Sequence, residues 1–128
     1  NSAEDISFVR NLPYLKELVL AYNSVTDLSP LKNNTTLTHI SFTNNGVDDA
    51  SALSGNTTIS TLRLSDNRLK NIDFIRGCTS VIELNVGGNP LSLEDLAYVN
   101  SLTYYNRVNL FNRKLTLRSL AIDNMKKN

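Results

Sequence analysis

The chain has 128 residues, enough for one domain, with 41% hydrophobic residues and a formal net charge of +1. This near-neutral charge gives no reason to expect nucleic acid, a membrane surface or an acidic substrate as partner. No apolar run approaches the roughly 18 residues that a membrane-spanning helix needs, and the single cysteine, Cys78, cannot form an internal disulfide.

Residues 1–14 resemble the second half of a unit that the following chain repeats. Asp5 and Ile6 recur one repeat later as Asp27 and Leu28. A polar residue before apolar ones is suited to cap a short helical turn. No strand precedes this stretch, so we interpret 1–14 as the tail of a truncated repeat. We expect that adding a preceding repeat would raise the melting temperature, because exposed core would be covered.

The stretch from Leu15 to Asn23 is the first complete unit, with leucines at Leu15, Leu18 and Leu20. The unit returns three times at a constant step, as Leu37, Ile40, Phe42 and Asn45, as Ile59, Leu62, Leu64 and Asn67, and as Val81, Leu84, Val86 and Asn89. Alternation of period two within each unit predicts a short strand with one apolar face. One strand cannot bury that face alone, so residues 15–91 are predicted to stack as a solenoid of parallel strands.

The closing asparagines lie where the chain must turn inward after each strand. An amide side chain carries both donors and an acceptor, so it can satisfy backbone groups in its own turn and in the neighbouring repeat. We therefore predict a buried, structural ladder of Asn23, Asn45, Asn67 and Asn89.

The pattern L-x-x-L-x-L-x-x-N-x-L resembles the leucine-rich repeat family. The 22-residue period and the segment 27–31, D-L-S-P-L, are most similar to the internalin and phosphatase-regulator type of repeat. The resemblance implies an α/β fold, a right-handed solenoid with a parallel concave sheet and short helical or 3₁₀ convex segments, forming a single domain over 1–128. It also implies protein–protein recognition as the function, by analogy with the fold.

The resemblance also bears on compartment. Many secreted eukaryotic members of this family close their ends with disulfide caps, and one cysteine cannot provide them. A cytoplasmic protein, or a bacterial surface or secreted one, is therefore favoured. We expect no cofactor, and a monomer in the intact protein.

The convex edge carries polar triplets that match the glycosylation sequon. Asn34 and Asn56 each begin an N-x-T sequence, as does Asn33. Because Asn34 and Asn56 recur in register, bonds to turn backbone are favoured over glycosylation. Cys78 occupies the same repeat position and is interpreted as a small, partly buried core residue, with a reactive thiol as the alternative.

After Leu91 the register of the repeat changes. Ser92 followed by Glu94 and Asp95 predicts an N-cap and an acidic first turn, and apolar spacing continues the helix to about Leu102.

The next strand is predicted at Val108 and Leu110, with Val108 as the equivalent of Leu84. This step is two positions longer than the earlier ones, and it places Arg113 at the ladder position. We interpret 92–128 as a longer convex helix, a divergent last repeat and a C-terminal cap. Three aromatic side chains are predicted to cover the exposed core there: Tyr98, Tyr104 and Tyr105.

The sequence contains no recognisable catalytic set, and we expect no enzyme. His39 is the only histidine, and a lone histidine is more often a solvated or contact residue than a base or metal ligand. Gly87 and Gly88 have no following lysine, so they favour a tight turn and not a phosphate loop. No metal-ligand spacing is present.

The outward positions of stacked strands should align in columns about 4.8 Å apart. The predicted partner-binding residues on this concave face are Glu17, Val19, Tyr22, His39, Ser41, Thr43, Thr61, Arg63, Ser65, Glu83 and Asn85. Arg63 lies at the centre between small neighbours, so we expect an accessible guanidinium there. The alternatives are an ordinary solvated sheet face, a bacterial adhesin fragment and a structural spacer.

Overall fold

The computed structural model of the protein describes residues 3–104 and 109–110. Over these residues, five parallel strands form one sheet in chain order. The strands are β1 Glu17–Val19, β2 His39–Ser41, β3 Thr61–Arg63, β4 Glu83–Asn85 and β5 Asn109–Leu110. Equivalent repeat positions pair across the sheet, as in the row Leu18, Ile40, Leu62 and Leu84. The predicted leucine-rich type of solenoid is therefore confirmed.

One apolar core runs between the sheet and the opposite, convex side. The inward side chains Ile40 and Leu62 of the strands are at most 1% exposed, and so are Leu28 and Leu31 on the convex side. Burying each of these side chains contributes about 1.5–3 kcal/mol. The alternation of period two therefore predicts correctly which strand side chains point into the apolar core.

Short 3₁₀ helices form the convex side at Ser7–Asn11, Ser29–Leu31, Ser51–Leu53 and Asp73–Gly77. Before each helix, a side-chain oxygen accepts a hydrogen bond from the backbone N–H two residues later. The acceptors are Asp5, Asp27, Asp49 and Asn71. These polar positions therefore start the convex turns as their side chains predict.

The turn carboxylates make the fold sensitive to acid. Hydrogen bonds from the backbone N–H groups of Ser29 and Ser51 hold the pKa of Asp27 and Asp49 below the ordinary value of 3.8. A lowered pKa means that this stabilisation is fully present above the unfolded-state pKa and is lost as pH falls through the lowered folded-state pKa. We therefore expect the urea midpoint to fall as pH drops below about 4.

The double variant Asp27→Asn, Asp49→Asn should lose part of this acid dependence, because Asn71 makes the same turn bond without a charge. The measurement is a urea titration of both proteins at several pH values. An equal acid-induced fall in the two midpoints would contradict the assignment.

The last convex segment among the described residues is an α-helix, α1, at Leu93–Tyr104. The Ser92 hydroxyl accepts the Asp95 N–H at 3.1 Å and donates to Asp95 Oδ2 at 2.8 Å. This reciprocal cap confirms the predicted helix start. The Tyr98 ring of this helix is half-buried and packs against the core. The guanidinium of Arg76, from the convex helix Asp73–Gly77, lies 3.9 Å from the centre of that ring.

The predicted register after α1 was wrong. Leu110, and not Val108, pairs with Leu84, so the step between these strands is two positions longer than predicted. The helix ends at Tyr104, two residues beyond the predicted end at Leu102, which accounts for the extra length. Predictions that concern the Val108, Arg113, Tyr105 and Tyr104 side chains lie outside the described residues.

Candidate functional site

The asparagine ladder holds the inward turns that follow strands β1 to β4. Asn67 Oδ1 accepts the Val47 N–H at 3.0 Å, and its amide nitrogen donates to the carbonyls of Phe42, Leu64 and Ser65 at 2.9–3.1 Å. One side chain thus joins the turn of its own repeat to the preceding repeat. This bonding fixes the backbone from which the outward side chains project.

The ladder is only partly buried. Asn67 and Asn89 are 7% and 5% exposed, as predicted, whereas Asn23 and Asn45 are half-buried. Asn23 makes the bond to Ala3 that its repeat position predicts, at 3.0 Å. Asn45 makes a full set of bonds, and nothing in the structure explains its greater exposure.

The outward side chains differ in accessibility. Four of the eleven predicted contact residues are less than a tenth exposed: Ser41, Thr61, Ser65 and Asn85. These four side chains therefore offer little contact area to a partner. We define the outer sheet face as the remaining seven: Glu17, Val19, Tyr22, His39, Thr43, Arg63 and Glu83.

Arg63 is less accessible than its small neighbours suggested. Its side chain is 38% exposed, and Nη2 lies 3.8 Å from Glu83 Oε2 on the adjacent strand. Both residues lie on the predicted concave face, but this ion pair was not predicted. The side chain of Arg63 is thus partly accessible and leans toward a carboxylate within the sheet.

The most exposed apolar side chains of the outer sheet face lie on and after β1. Val19 is 66% exposed and Tyr22 is 68% exposed. Tyr22 also has a left-handed backbone, with φ of 59°. Its equivalents Asn44, Asp66 and Gly88 share that conformation, and these residue types tolerate it better than a bulky aromatic residue.

This left-handed position was missed by the sequence analysis. The available signal was the column Asn44, Asp66 and Gly88, since all three residue types favour positive φ. Strained backbone in a bulky residue often accompanies a functional role. Tyr22 is thus the residue of the outer sheet face whose conformation most calls for an explanation.

Both the sequence and the fold of this chain resemble those of known proteins. A sequence profile described as a leucine-rich repeat matches residues 33–54, and solved structures similar to this one include repeat proteins of the same architecture. The chain is a leucine-rich repeat protein. No curated protein matches its sequence significantly.

Three solved leucine-rich repeat structures show the likeness. An internalin from Listeria monocytogenes has a TM-score of 0.76 and 26% identity, over 94% of this chain and 37% of the internalin. A second internalin from that bacterium has a TM-score of 0.70 and 31% identity, over 85% of this chain and 45% of its own. A Leptospira interrogans protein has a TM-score of 0.73 and 21% identity, over 86% and 28% respectively. This chain thus spans less than half of each.

The convex edge of this leucine-rich repeat protein has its own polar ladder. Asn34 Oδ1 accepts the N–H groups of Thr36 and Leu37 at 2.9 and 2.8 Å. Asn56 makes the same bonds one repeat later, and its amide donates to the Asn34 carbonyl at 3.0 Å. The predicted structural role of these asparagines is confirmed, because both side chains are engaged by turn backbone.

Cys78 occupies the repeat position of Asn34 and Asn56 and is a buried thiol. Its Sγ lies 3.2 Å from the Leu53 carbonyl and 3.3 Å from the Phe74 carbonyl. Burial raises the pKa of Cys78, which disfavours the reactive thiolate. The interpretation as a core residue is therefore confirmed.

The outer sheet face combines exposed polar side chains, such as Glu17 and His39, with the exposed apolar side chain of Val19. His39 lies beside Glu17 across the sheet, with Nδ1 2.9 Å from the Thr38 hydroxyl. Among residues 3–104 and 109–110, no group of three or more histidine, cysteine and acidic residues is placed to hold a metal ion. Over the same part of the chain, no helix is long and apolar enough to cross a membrane.

Proposed function

We propose that this leucine-rich repeat protein recognises a protein partner through the outer sheet face. The observation that carries the proposal is Tyr22, a tyrosine that is 68% exposed in a left-handed turn. Val19, the last residue of β1 and 66% exposed, adds apolar area three residues earlier. Tyrosine is enriched among the residues that dominate binding energy at interfaces, and strain at such a residue is consistent with a role beyond folding.

The remaining residues of the outer sheet face supply a polar surround. Arg63 and Glu83 form an ion pair at 3.8 Å, so neither charge is fully solvated. Glu17 and His39 are exposed on β1 and β2 of the same sheet. Polar groups at the rim of an interface contribute more to specificity and association rate than to affinity. The proposal therefore moves the energetic centre from Arg63 toward Tyr22 and Val19.

The test is to isolate a protein partner by co-purification with the intact protein and to measure its affinity for the wild type and for variants. Tyr22→Asn should weaken binding by about 1.4 kcal/mol or more, which is at least tenfold. The fold should persist, because Asn44 occupies the equivalent turn with φ of 56°. An unchanged melting temperature together with a weaker affinity would show that Tyr22→Asn affects binding and not folding.

The matched control is on the convex side. Lys32→Glu changes an exposed charge there and should leave affinity unchanged, whereas Arg63→Glu on the sheet should reduce it. If Lys32→Glu abolishes binding while Tyr22→Asn and Arg63→Glu do not, the convex edge is the working surface.

A second candidate is a bacterial surface or secreted protein of the internalin kind, favoured by the two internalin structures. Fractionation of the source cells tests it, since recovery only from cytoplasm would exclude it. A structural spacer is the outcome in which neither Tyr22→Asn nor Arg63→Glu alters any interaction of the intact protein.

A further inference from the structure

Only one of the four ladder asparagines is followed by a glycine. Asn23, Asn67 and Asn89 are followed by serine, arginine and proline, whereas Asn45 is followed by Gly46. We propose that Asn45 is a site of spontaneous deamidation that the folded ladder protects and that unfolding exposes.

The reaction needs only water. The backbone nitrogen of Gly46 loses its proton and attacks Cγ of Asn45, so a new N–C bond closes a five-membered imide. The bond from Cγ to the side-chain nitrogen breaks, and ammonia leaves. Water then opens the imide at either carbonyl, which yields aspartate or isoaspartate. No electron transfer or cofactor takes part.

Glycine makes position 45 the reactive one. Without a β-carbon, Gly46 offers an unhindered nitrogen and a flexible backbone that can reach the cyclisation geometry. Ser24 and Arg68 carry side chains at the equivalent position, and Pro90 has no N–H to lose. The four ladder positions therefore form a natural series for the same chemistry.

The folded state blocks both reacting groups, the side-chain amide of Asn45 and the backbone nitrogen of Gly46. Its Oδ1 accepts the Val25 N–H at 2.9 Å, and its amide nitrogen lies 2.9 Å from the carbonyls of Leu20 and Phe42. The Gly46 N–H donates to the Val25 carbonyl at 3.0 Å. Attack requires all these bonds to open, so the reaction follows the population of open molecules.

The product cannot rebuild the ladder. An aspartate at position 45 has no N–H to donate, and its carboxylate would face the carbonyl oxygens of Leu20, Phe42 and Thr43. Isoaspartate would also lengthen the backbone at the turn. Deamidation would therefore convert transient opening into irreversible loss, so lifetime would depend on the population of open molecules and on the rate of imide formation.

The test compares folded protein with protein in urea at the same mildly alkaline pH and temperature. Peptide mass spectrometry measures deamidation at the four ladder asparagines over time. We expect Asn45 to react fastest in urea, and at least about tenfold more slowly in the folded state. Equal rates in both states, or a rate at Asn45 no higher than at Asn23 in urea, would overturn the proposal.

Two variants sharpen the result. Gly46→Ser copies Ser24 of the preceding repeat and should slow the reaction in urea several-fold; an unchanged rate would refute the role of glycine. The closest contact of the added β-carbon is the Thr26 methyl at 3.1 Å, so the fold should adapt. Asn45→Asp mimics the product and should unfold at lower urea than wild type, whereas an equal midpoint would refute the irreversible loss.

Discussion

Replacing Asn67 with alanine is expected to lower the free energy of unfolding by about 1–3 kcal/mol. The side chain is 7% exposed, so the groups that it satisfies are shielded from water. The loss is not a sum over all its bonds. The Phe42 carbonyl keeps its bond from Asn45 at 2.9 Å, and the Leu64 carbonyl keeps its bond from Asn89 at 2.8 Å. The cost therefore falls mainly on the Val47 N–H and on lost packing.

Asn23→Ala is the matched control at the first described repeat. Asn23 is half-buried and makes two bonds, to Ala3 and Ala21, so its removal should cost less than that of Asn67. Urea titration of both variants, with the slope checked for constancy, measures the difference. A change of only a few tenths of a kcal/mol for Asn67→Ala would show that the ladder does not hold the fold.

Strand positions and register were predictable because the repeat constrains them at every level. A period of two within each unit and a constant step between units admit one stacking that buries every Leu18-type side chain. The convex turns were predictable for a similar reason, because a polar residue such as Asp27 precedes the turn each time.

The accessibility of the outward side chains of the sheet was not predictable from the repeat. Outward direction is a property of backbone alternation, but exposure depends on the size and conformation of cross-strand neighbours. Ser41 and Asn85 point outward and are still 7% and 8% exposed, whereas Val19 is 66% exposed. The Arg63 to Glu83 contact likewise depends on rotamers, which the repeat does not encode.

The register after α1 could not be predicted because a helix end carries a weaker signal than a leucine repeat. Two further residues of helix moved Leu110 into the position expected for Val108. Helix boundaries are commonly uncertain by one or two residues, and a solenoid transmits that uncertainty to every later strand.

Gly88→Ala is expected to have the largest effect of these substitutions, about 2–4 kcal/mol of unfolding free energy. Gly88 has φ of +73°, where any β-carbon is strained. An added β-carbon would also overlap the Asp66 side chain and approach the Asp66 Cα to 3.2 Å. Backbone strain and crowding therefore act together at this turn.

Gly55→Ala separates the two causes. Gly55 has φ of +77°, and an added β-carbon there meets nothing within 4 Å, so only the backbone cost applies. We expect about 1–2 kcal/mol for Gly55→Ala, with the excess at Gly88 measuring the contact with Asp66. Adding Asp66→Gly should recover part of that excess, because the crowding atoms are removed. Equal losses at Gly55 and Gly88 would show that Asp66 moves aside at no cost.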